Sequence, residues 1–290
     1  MVRGVRGRQY AARGVPDLST SERPGWKASF CLLLCALCSV PSASASDADD
    51  LLSALHRARA WEARGQVQVT VLFPPRDVPT KMTGKLPVLP LRPGAVVKAF
   101  KVVKAGPDTL AGRAVTRFEL TPLNAGAARW RLWVDDVWNV PLGFEERGAD
   151  GSLARQALFQ KVNAKLVQVK PGSLTIPDGL RGAVRAALPG LRFPAGFTPV
   201  AAVQKDRRME VTLSDGLNTL ALVLAPRNVK AAPGVASRKV GGRFVWLVGN
   251  MPQDDLKKAI AGITEVNEAG LGHLLGTFVG TFPGHFVSNP

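Results

Sequence analysis

Carboxylates, one serine and the histidines are the side chains of this sequence that could support hydrolytic chemistry. Asp135-Asp136 and Glu145-Glu146 are paired carboxylates, and Ser214-Asp215 places a hydroxyl next to an acid. Adjacent residues on a strand point to opposite faces, so neither carboxylate pair forms an acid/base dyad by itself. No histidine is placed with Ser214, and no Gly-x-Ser-x-Gly elbow is present. We therefore interpret the carboxylate pairs as solvated turns and edges, and Ser214-Asp215 as a structural turn. The histidines are His56, His273 and His285.

Cofactor and metal chemistry has no sequence signature either. The chain contains no phosphate loop, dinucleotide fingerprint or metal-ligand spacing. All three cysteines, Cys31, Cys35 and Cys38, precede residue 45. Beyond that point the chain can form no disulfide, thiolate zinc site or cysteine nucleophile. We expect a binding protein that is not an enzyme and uses no cofactor.

An apolar stretch near the N-terminus predicts export. Ala28–Val40 is an apolar run of 13 residues, which is too short for a membrane span and suits the core of a signal peptide. Basic residues precede it, and Ala43-Ser44-Ala45 is a small-residue cleavage site. We predict that residues 1–45 are a signal peptide or leader, with cleavage near Ala45.

The charge balance favours anionic partners. The chain has 38 basic and 22 acidic residues, a net charge of +16, and the part after residue 45 keeps a net charge of +12. Such a surplus suits lipid head groups, lipopolysaccharide, acidic proteins or nucleic acid. Nucleic acid is not expected, because the sequence has no zinc spacing, aromatic RNA-binding signature or clear helix-turn-helix. A solvated basic surface without a dedicated anion site is the alternative.

A helix followed by strands is predicted before residue 105. Apolar residues recur at helical spacing over Asp50–Glu62, which predicts an amphipathic helix capped by Asp49 or Asp50. Gln66–Phe73 alternates as a strand does, and Ala95–Lys104 is predicted as one further strand.

Four β-rich runs divided by turn-forming residues then predict an antiparallel meander. In the second run, Trp130, Leu132 and Val134 share one face, while Arg131 and Trp133 share the other. Apolar side chains on both faces indicate that neither face is simply solvated. The runs are Arg113–Leu120, Arg129–Val134, Pro141–Arg147 and Ser152–Val162.

A second domain is predicted after a linker. Residues 165–188 concentrate proline, glycine and lysine and are predicted to join a first domain at 46–164 to a second at 189–290. A helix is predicted to begin at Pro252, with acids in its first turn and lysines later. Strands are predicted at Met209–Leu213 and Thr219–Leu224, paired around a Ser-Asp-Gly turn, and at Phe244–Val248.

Motifs in both predicted domains resemble the MucB/RseB family of sigma-factor regulatory proteins. Those in the first domain are Ala111-Gly112-Arg113, Leu120-Thr121-Pro122, Arg131-Leu132-Trp133-Val134-Asp135 and Asp150-Gly151. Those in the second domain are Arg192, Pro194-Ala195-Gly196-Phe197, Ser214-Asp215-Gly216-Leu217 and Val248-Gly249.

The resemblance implies an α+β fold, because the first domain of that family is similar to the LolA lipoprotein carrier. We expect a curved antiparallel LolA-like half-barrel sheet with an N-terminal helix, followed by a smaller α+β C-terminal domain. The proline-rich stretch Pro74–Pro93 departs from the family, and the half-barrel is expected to be shortened there.

The resemblance also implies a function. Family members are periplasmic, bind the extracytoplasmic part of a membrane anti-sigma factor, shield it from proteolysis and respond to lipid or mislocalised envelope material. A periplasmic carrier or chaperone for lipids or lipoproteins is the alternative. Lipopolysaccharide remains a candidate ligand, and self-association is left open.

Two sets of residues are candidates for binding. Large apolar side chains on the concave face could line a lipid cavity, with ordinary core packing as the alternative; they are Trp130, Leu132, Val134 and Phe144. The resemblance and the basic surplus of the second domain suggest partner-binding residues, which are Arg192, Phe197, Arg207 and Arg208.

Overall fold

Two open antiparallel sheets, a two-stranded ribbon and four helices make up the computed structural model, which describes residues 46–89, 91–170, 176–205, 208–230 and 232–267. The α+β fold class is as the sequence predicts. The helices are α1 (Asp47–Arg57), α2 (Pro93–Ala99), α3 (Leu180–Ala187) and α4 (Gln253–Ala261). The strands are β1 (Trp61–Glu62), β2 (Gly65–Val71), β3 (Thr80–Thr83), β4 (Phe100–Leu110), β5 (Arg113–Pro122), β6 (Arg129–Asp135), β7 (Pro141–Arg147), β8 (Leu153–Val162), β9 (Val167–Gln168), β10 (Thr198–Lys205), β11 (Arg208–Ser214), β12 (Thr219–Ala225), β13 (Val235–Val240) and β14 (Arg243–Gly249).

The first sheet contains seven strands in the order β3-β2-β8-β7-β6-β5-β4. Strands β5 to β8 are neighbours in the chain and in the sheet, so the predicted meander is confirmed. In β6, Trp130, Leu132 and Val134 are buried, while Arg131 is exposed and Trp133 is half-buried. This alternation confirms the predicted assignment of the two faces.

Helix α1 starts and ends earlier than the sequence predicts. Its N-cap is Ser46, whose hydroxyl accepts from the backbone N–H of Asp49, while the Asp49 carboxylate accepts from the Ser46 N–H. This capping box satisfies donors at the helix start, so Asp49 is an N3 residue and not the cap. Trp61 was predicted to be helical but lies in β1, opposite Gln168 of β9. Trp61 still packs against the hydrophobic core of the first sheet, because a strand at this position buries its side chain as well as a helix would.

The prediction of a single strand over Ala95–Lys104 is wrong for the first half of that segment. Pro93 begins α2, where a missing N–H costs nothing and a fixed φ favours the helix. Val96 is fully buried on this helix, and the strand starts only at Phe100. The proline-rich stretch also contains a strand that was not predicted, β3, which lies at the edge of the sheet, where nearby prolines are tolerated.

The second sheet contains five strands in the order β10-β11-β12-β14-β13. The three strands predicted in this half are confirmed, and Pro252 is the N-cap of α4. Helix α3 falls within the predicted linker, yet its Leu180 and Val184 are buried in the second core. The end of that segment therefore belongs to the second sheet.

Each sheet has its own hydrophobic core, and the described residues of both sheets belong to one compact unit. No helix in the described ranges is long and apolar enough to span a membrane. The predicted signal peptide, the three cysteines, His273 and His285 all lie outside those ranges.

Candidate binding surfaces

The four residues predicted to line a lipid cavity lie in the first core. Trp130, Leu132, Val134 and Phe144 are between 0 % and 4 % exposed. The rings of Trp130 and Phe144 pack with their centroids 5.8 Å apart and their planes tilted by 45°. The same core includes Leu51, Ala54 and Leu55 of α1. A lipid chain could enter among these side chains only if neighbouring elements moved aside.

Helix α1 is tied to the sheet by polar contacts at its surface. The backbone N–H of Lys104 on β4 donates to Asp47 at 2.9 Å, and the Lys104 ammonium pairs with Asp50. The hydrogen bond to Asp50 raises the pKa of Lys104, so its ammonium stays charged at neutral pH. Asn139 donates to Ser53 at 3.0 Å. Each exposed contact of this kind contributes little stability. The burial of the apolar side of α1 therefore contributes most of the free energy that holds the helix on the sheet.

The carboxylate pairs singled out in the sequence are buried more often than predicted. Asp136 is exposed, but Asp135, Glu145 and Glu146 are buried, so the interpretation of these pairs as solvated turns and edges is wrong for three of the four. Each of the three is buried because it meets arginine, which offsets the loss of hydration. The side chains of Glu145 and Glu146 lie on opposite faces of the sheet, as predicted for adjacent residues of a strand.

Asp135 closes the turn between β6 and β7. It pairs with Arg113 through two hydrogen bonds and accepts from the backbone N–H groups of Val137 and Trp138. Arg113 also stacks over Trp138, with its guanidinium carbon 3.6 Å from the ring centroid. Burial pushes the pKa of Asp135 upward, but the hydrogen bonds from Arg113 and Trp138 outweigh burial and hold it below the ordinary value.

Glu145 and Glu146 serve different surfaces. Glu145 accepts from Arg147 at 2.6 Å and from Gln156 at 3.0 Å, and it lies 3.4 Å from Arg131, on the outer face of the sheet. Glu146 pairs with Arg155 and accepts from Asn250 of the second half at 2.8 Å. These carboxylates are occupied by structural partners.

A turn from the second sheet completes the first core. Between β11 and β12, Leu217 is fully buried and belongs to the first core. Asn218 accepts from the Trp130 indole N–H at 2.7 Å and donates to the Ala128 carbonyl at 3.2 Å. It also donates to Asp215 at 2.8 Å. We call the segment Ser214–Asn218 the junction turn.

The junction turn is built from residues that sequence reasoning assigned only to a structural turn. Asp215 accepts from the backbone N–H groups of Leu217 and Asn218, and its burial raises its pKa despite these bonds. Gly216 has φ +114°, and a Cβ there would lie 2.7 Å from the Val96 nitrogen in α2. The sequence predicted the turn, but it did not predict that the turn inserts Leu217 into the core of the first sheet. The one sequence signal for this insertion was an apolar residue, Leu217, within an otherwise polar turn.

Further contacts join the two halves. Asn124 donates to the Ala195 carbonyl at 3.2 Å. Gly126 faces the start of α4, and Gly234 faces the ring of Phe73. In both cases glycine allows a close approach that a Cβ would obstruct.

The predicted partner-binding residues are divided between surface and core. Arg192 and Arg208 are exposed. Phe197 is 1 % exposed within the second core, so its role in this structure is packing. Arg207 lies outside the described residues. Within the described part of the chain, no group of three or more His, Cys, Asp or Glu residues could hold a metal ion.

Comparison with solved structures identifies the fold. A crystal structure of MucB aligns with 78 % of this chain and 99 % of its own length, with a TM-score of 0.52 and 17 % sequence identity. The chain has the fold of MucB. The structure of the Pseudomonas aeruginosa MucA/MucB complex aligns with 77 % of this chain and 100 % of its own, at 17 % identity and a TM-score of 0.52. MucB in complex with MucA(peri) aligns over the same shares, at 16 % identity and a TM-score of 0.51. No family model matches the sequence, and no curated protein matches it.

Proposed function

We propose that this protein is a periplasmic regulator of an extracytoplasmic-function sigma factor. In this role it binds the extracytoplasmic part of a membrane anti-sigma factor. The observation that carries the proposal is the alignment with MucB over essentially the whole MucB chain, including both sheets. In two of the aligned structures MucB is in complex with MucA. The sequence motifs that resemble the MucB/RseB family point to the same role.

The local chemistry supports a binding role over a hydrolytic one. The hydroxyl oxygen of Ser214 accepts from the Gly216 N–H at 3.0 Å inside the junction turn. Ser214 is 1 % exposed, and its neighbour Asp215 is used to hold the same turn. Asp135, Glu145 and Glu146 are engaged by arginines. These polar groups hold the fold together, as expected of a scaffold that presents surfaces.

Lipid binding is the second candidate, as a signal that modulates the regulator or as the cargo of a carrier. It is favoured by the aromatic pair Trp130 and Phe144, which lies on the same side of the sheet as Leu51 and Leu55 of α1. Displacement of α1 would open an apolar surface of the kind that accepts acyl chains. The polar contacts of Lys104 and Asn139 with α1 are weak enough to be broken by a ligand.

Co-purification tests the proposed function. The full mature chain, carrying an affinity tag, is expected to retain a single-span membrane protein from envelope extracts, and then to form a stable complex with the purified extracytoplasmic part of that protein. Size-exclusion chromatography with light scattering measures the complex. Failure of the two purified proteins to associate at micromolar concentration would refute the regulatory role and leave the carrier as the better explanation.

A further inference from the structure

Helix α3 and the loop after it assemble an arginine cluster around one aromatic ring. Arg181 and Arg185 are four residues apart, so their side chains project from one face of the helix. Their guanidinium carbons lie 5.1 Å and 5.7 Å from the ring centroid of Phe193. Phe193 is half-buried and packs against the second core, which fixes the ring. Arg192, next to it, is exposed and donates its backbone N–H to the Ala259 carbonyl. We call Arg181, Arg185 and Phe193 the arginine cluster.

The cations of the arginine cluster lack acidic partners within the described part of the chain. Helix α3 contains no acid, and none of the carboxylates that the structure describes lies within ion-pair distance of the guanidinium groups of Arg181 and Arg185. Arginines of the first sheet differ, since Arg131 and Arg147 contact Glu145 and Arg113 pairs with Asp135. Both guanidinium groups lie within the distance of about 6 Å at which a ring face attracts a cation. The ring therefore favours their position, while their N–H donors remain available for a carboxylate.

We infer that the arginine cluster binds an acidic segment of a partner polypeptide. The inference rests on the proposed function for the identity of that partner, the anti-sigma factor. Guanidinium forks match single carboxylates through two parallel hydrogen bonds, which favours an acidic peptide. Recognition of an anionic membrane commonly needs about four to eight clustered cations, more than the two arginines here. The chain's own segment after residue 267 has one acid, Glu268, so it cannot match these cations.

Binding of a fluorescent hexaglutamate peptide to the full mature chain tests the inference. The double variant Arg181→Gln, Arg185→Gln is expected to bind about tenfold more weakly in fluorescence anisotropy at low ionic strength, because two charge-assisted contacts are lost. Phe193→Leu keeps an apolar side chain in the core but removes the stacking surface, so a smaller loss, of about threefold, is expected.

A matched control removes the same charge elsewhere. Lys257 and Lys258 lie on the exposed face of α4 and already pair with Asp254 and Asp255. The variant Lys257→Gln, Lys258→Gln is expected to change hexaglutamate affinity by less than about twofold. Equal weakening in both double variants would show an effect of net charge alone and overturn the inference. Circular dichroism and thermal melting confirm that the variants fold; the four substituted basic side chains are all exposed.

Two further measurements separate the possible failures. Phosphatidylglycerol vesicles are tested with the same variants; loss of vesicle binding with unchanged hexaglutamate binding would overturn the inference in favour of a membrane site. The anti-sigma fragment is tested last. If it binds the wild type and the Arg181→Gln, Arg185→Gln variant equally well, the inference fails and the proposed function stands. If it binds neither protein while hexaglutamate binding still depends on the arginines, the proposed function fails and the acidic-peptide site stands.

Discussion

Substitution of Asn218 by alanine is expected to be strongly destabilising. Three hydrogen bonds are lost at once: from the Trp130 indole, to the Ala128 carbonyl and to the Asp215 carboxylate. Trp130 is 2 % exposed and Asp215 is 3 % exposed, so water cannot replace the missing partner without opening the junction. Each buried polar group left unsatisfied costs about 1–3 kcal/mol. We expect a loss of about 3–5 kcal/mol in the free energy of unfolding, a large share of the total for a domain.

Urea unfolding, followed by both tryptophan fluorescence and circular dichroism, measures this loss. With an m-value of about 2–3 kcal/mol per molar urea, the midpoint is expected to fall by about 1–2.5 M. Asn124→Ala is the matched control, because Asn124 also donates across the junction, to the Ala195 carbonyl, but at an exposed position. It is expected to cost about 1 kcal/mol or less. Equal midpoints for the two variants would refute the argument that the buried hydrogen bonds of Asn218 contribute more stability than the exposed bond of Asn124.

Four further outcomes are expected. Asp135→Asn should lose less stability than the wild type between about pH 6 and pH 3, because a carboxyl whose pKa is lowered on folding contributes stability above its ordinary value of 3.8 that is lost as pH falls further. Urea unfolding at several pH values measures this, and an equal loss in both proteins would count against it. Mass spectrometry of the exported protein should find an N-terminus just after Ala45, and retention of the cysteines would contradict export. Limited proteolysis should cut between residues 165 and 179, and the fragments should still co-elute because the junction holds them together. A lipid analogue that quenches tryptophan fluorescence should bind Trp130→Ala more weakly than Trp133→Ala, provided that both variants stay folded; equal loss would point to general destabilisation.

The strands were predictable because their patterns are local. Alternation in β6 placed Trp130 and Arg131 on opposite faces, and the structure agrees. The stretch around Ala95–Lys104 misled because its valines favour a strand, whereas Pro93 and the burial of Val96 favour a helix first. Propensity is a weak prior when a proline and tertiary packing act together.

The polar interior could not be predicted from spacing. Glu145 is buried because Arg131, Arg147 and Gln156 surround it, and which residues face each other depends on strand register. The junction turn depends on pairing between residues far apart in sequence, which no local pattern contains. Among the candidate site residues, the shared face of Trp130 and Leu132 was accessible to sequence reasoning, but the burial of Phe197 was not.

The dependence of the first core on Leu217 and Asn218 has a consequence for biogenesis. Trp130 and Asn218 are 88 residues apart, so the first sheet lacks part of its interior until the junction turn has joined it. A chain that ends before the junction turn would hold an unpartnered indole N–H and an unfilled space beside it. The first core is therefore completed late in folding. This step is slow, because a long stretch of chain must be closed into a loop before the junction turn can reach Trp130. A polypeptide truncated before the junction turn would therefore be prone to aggregation or to degradation.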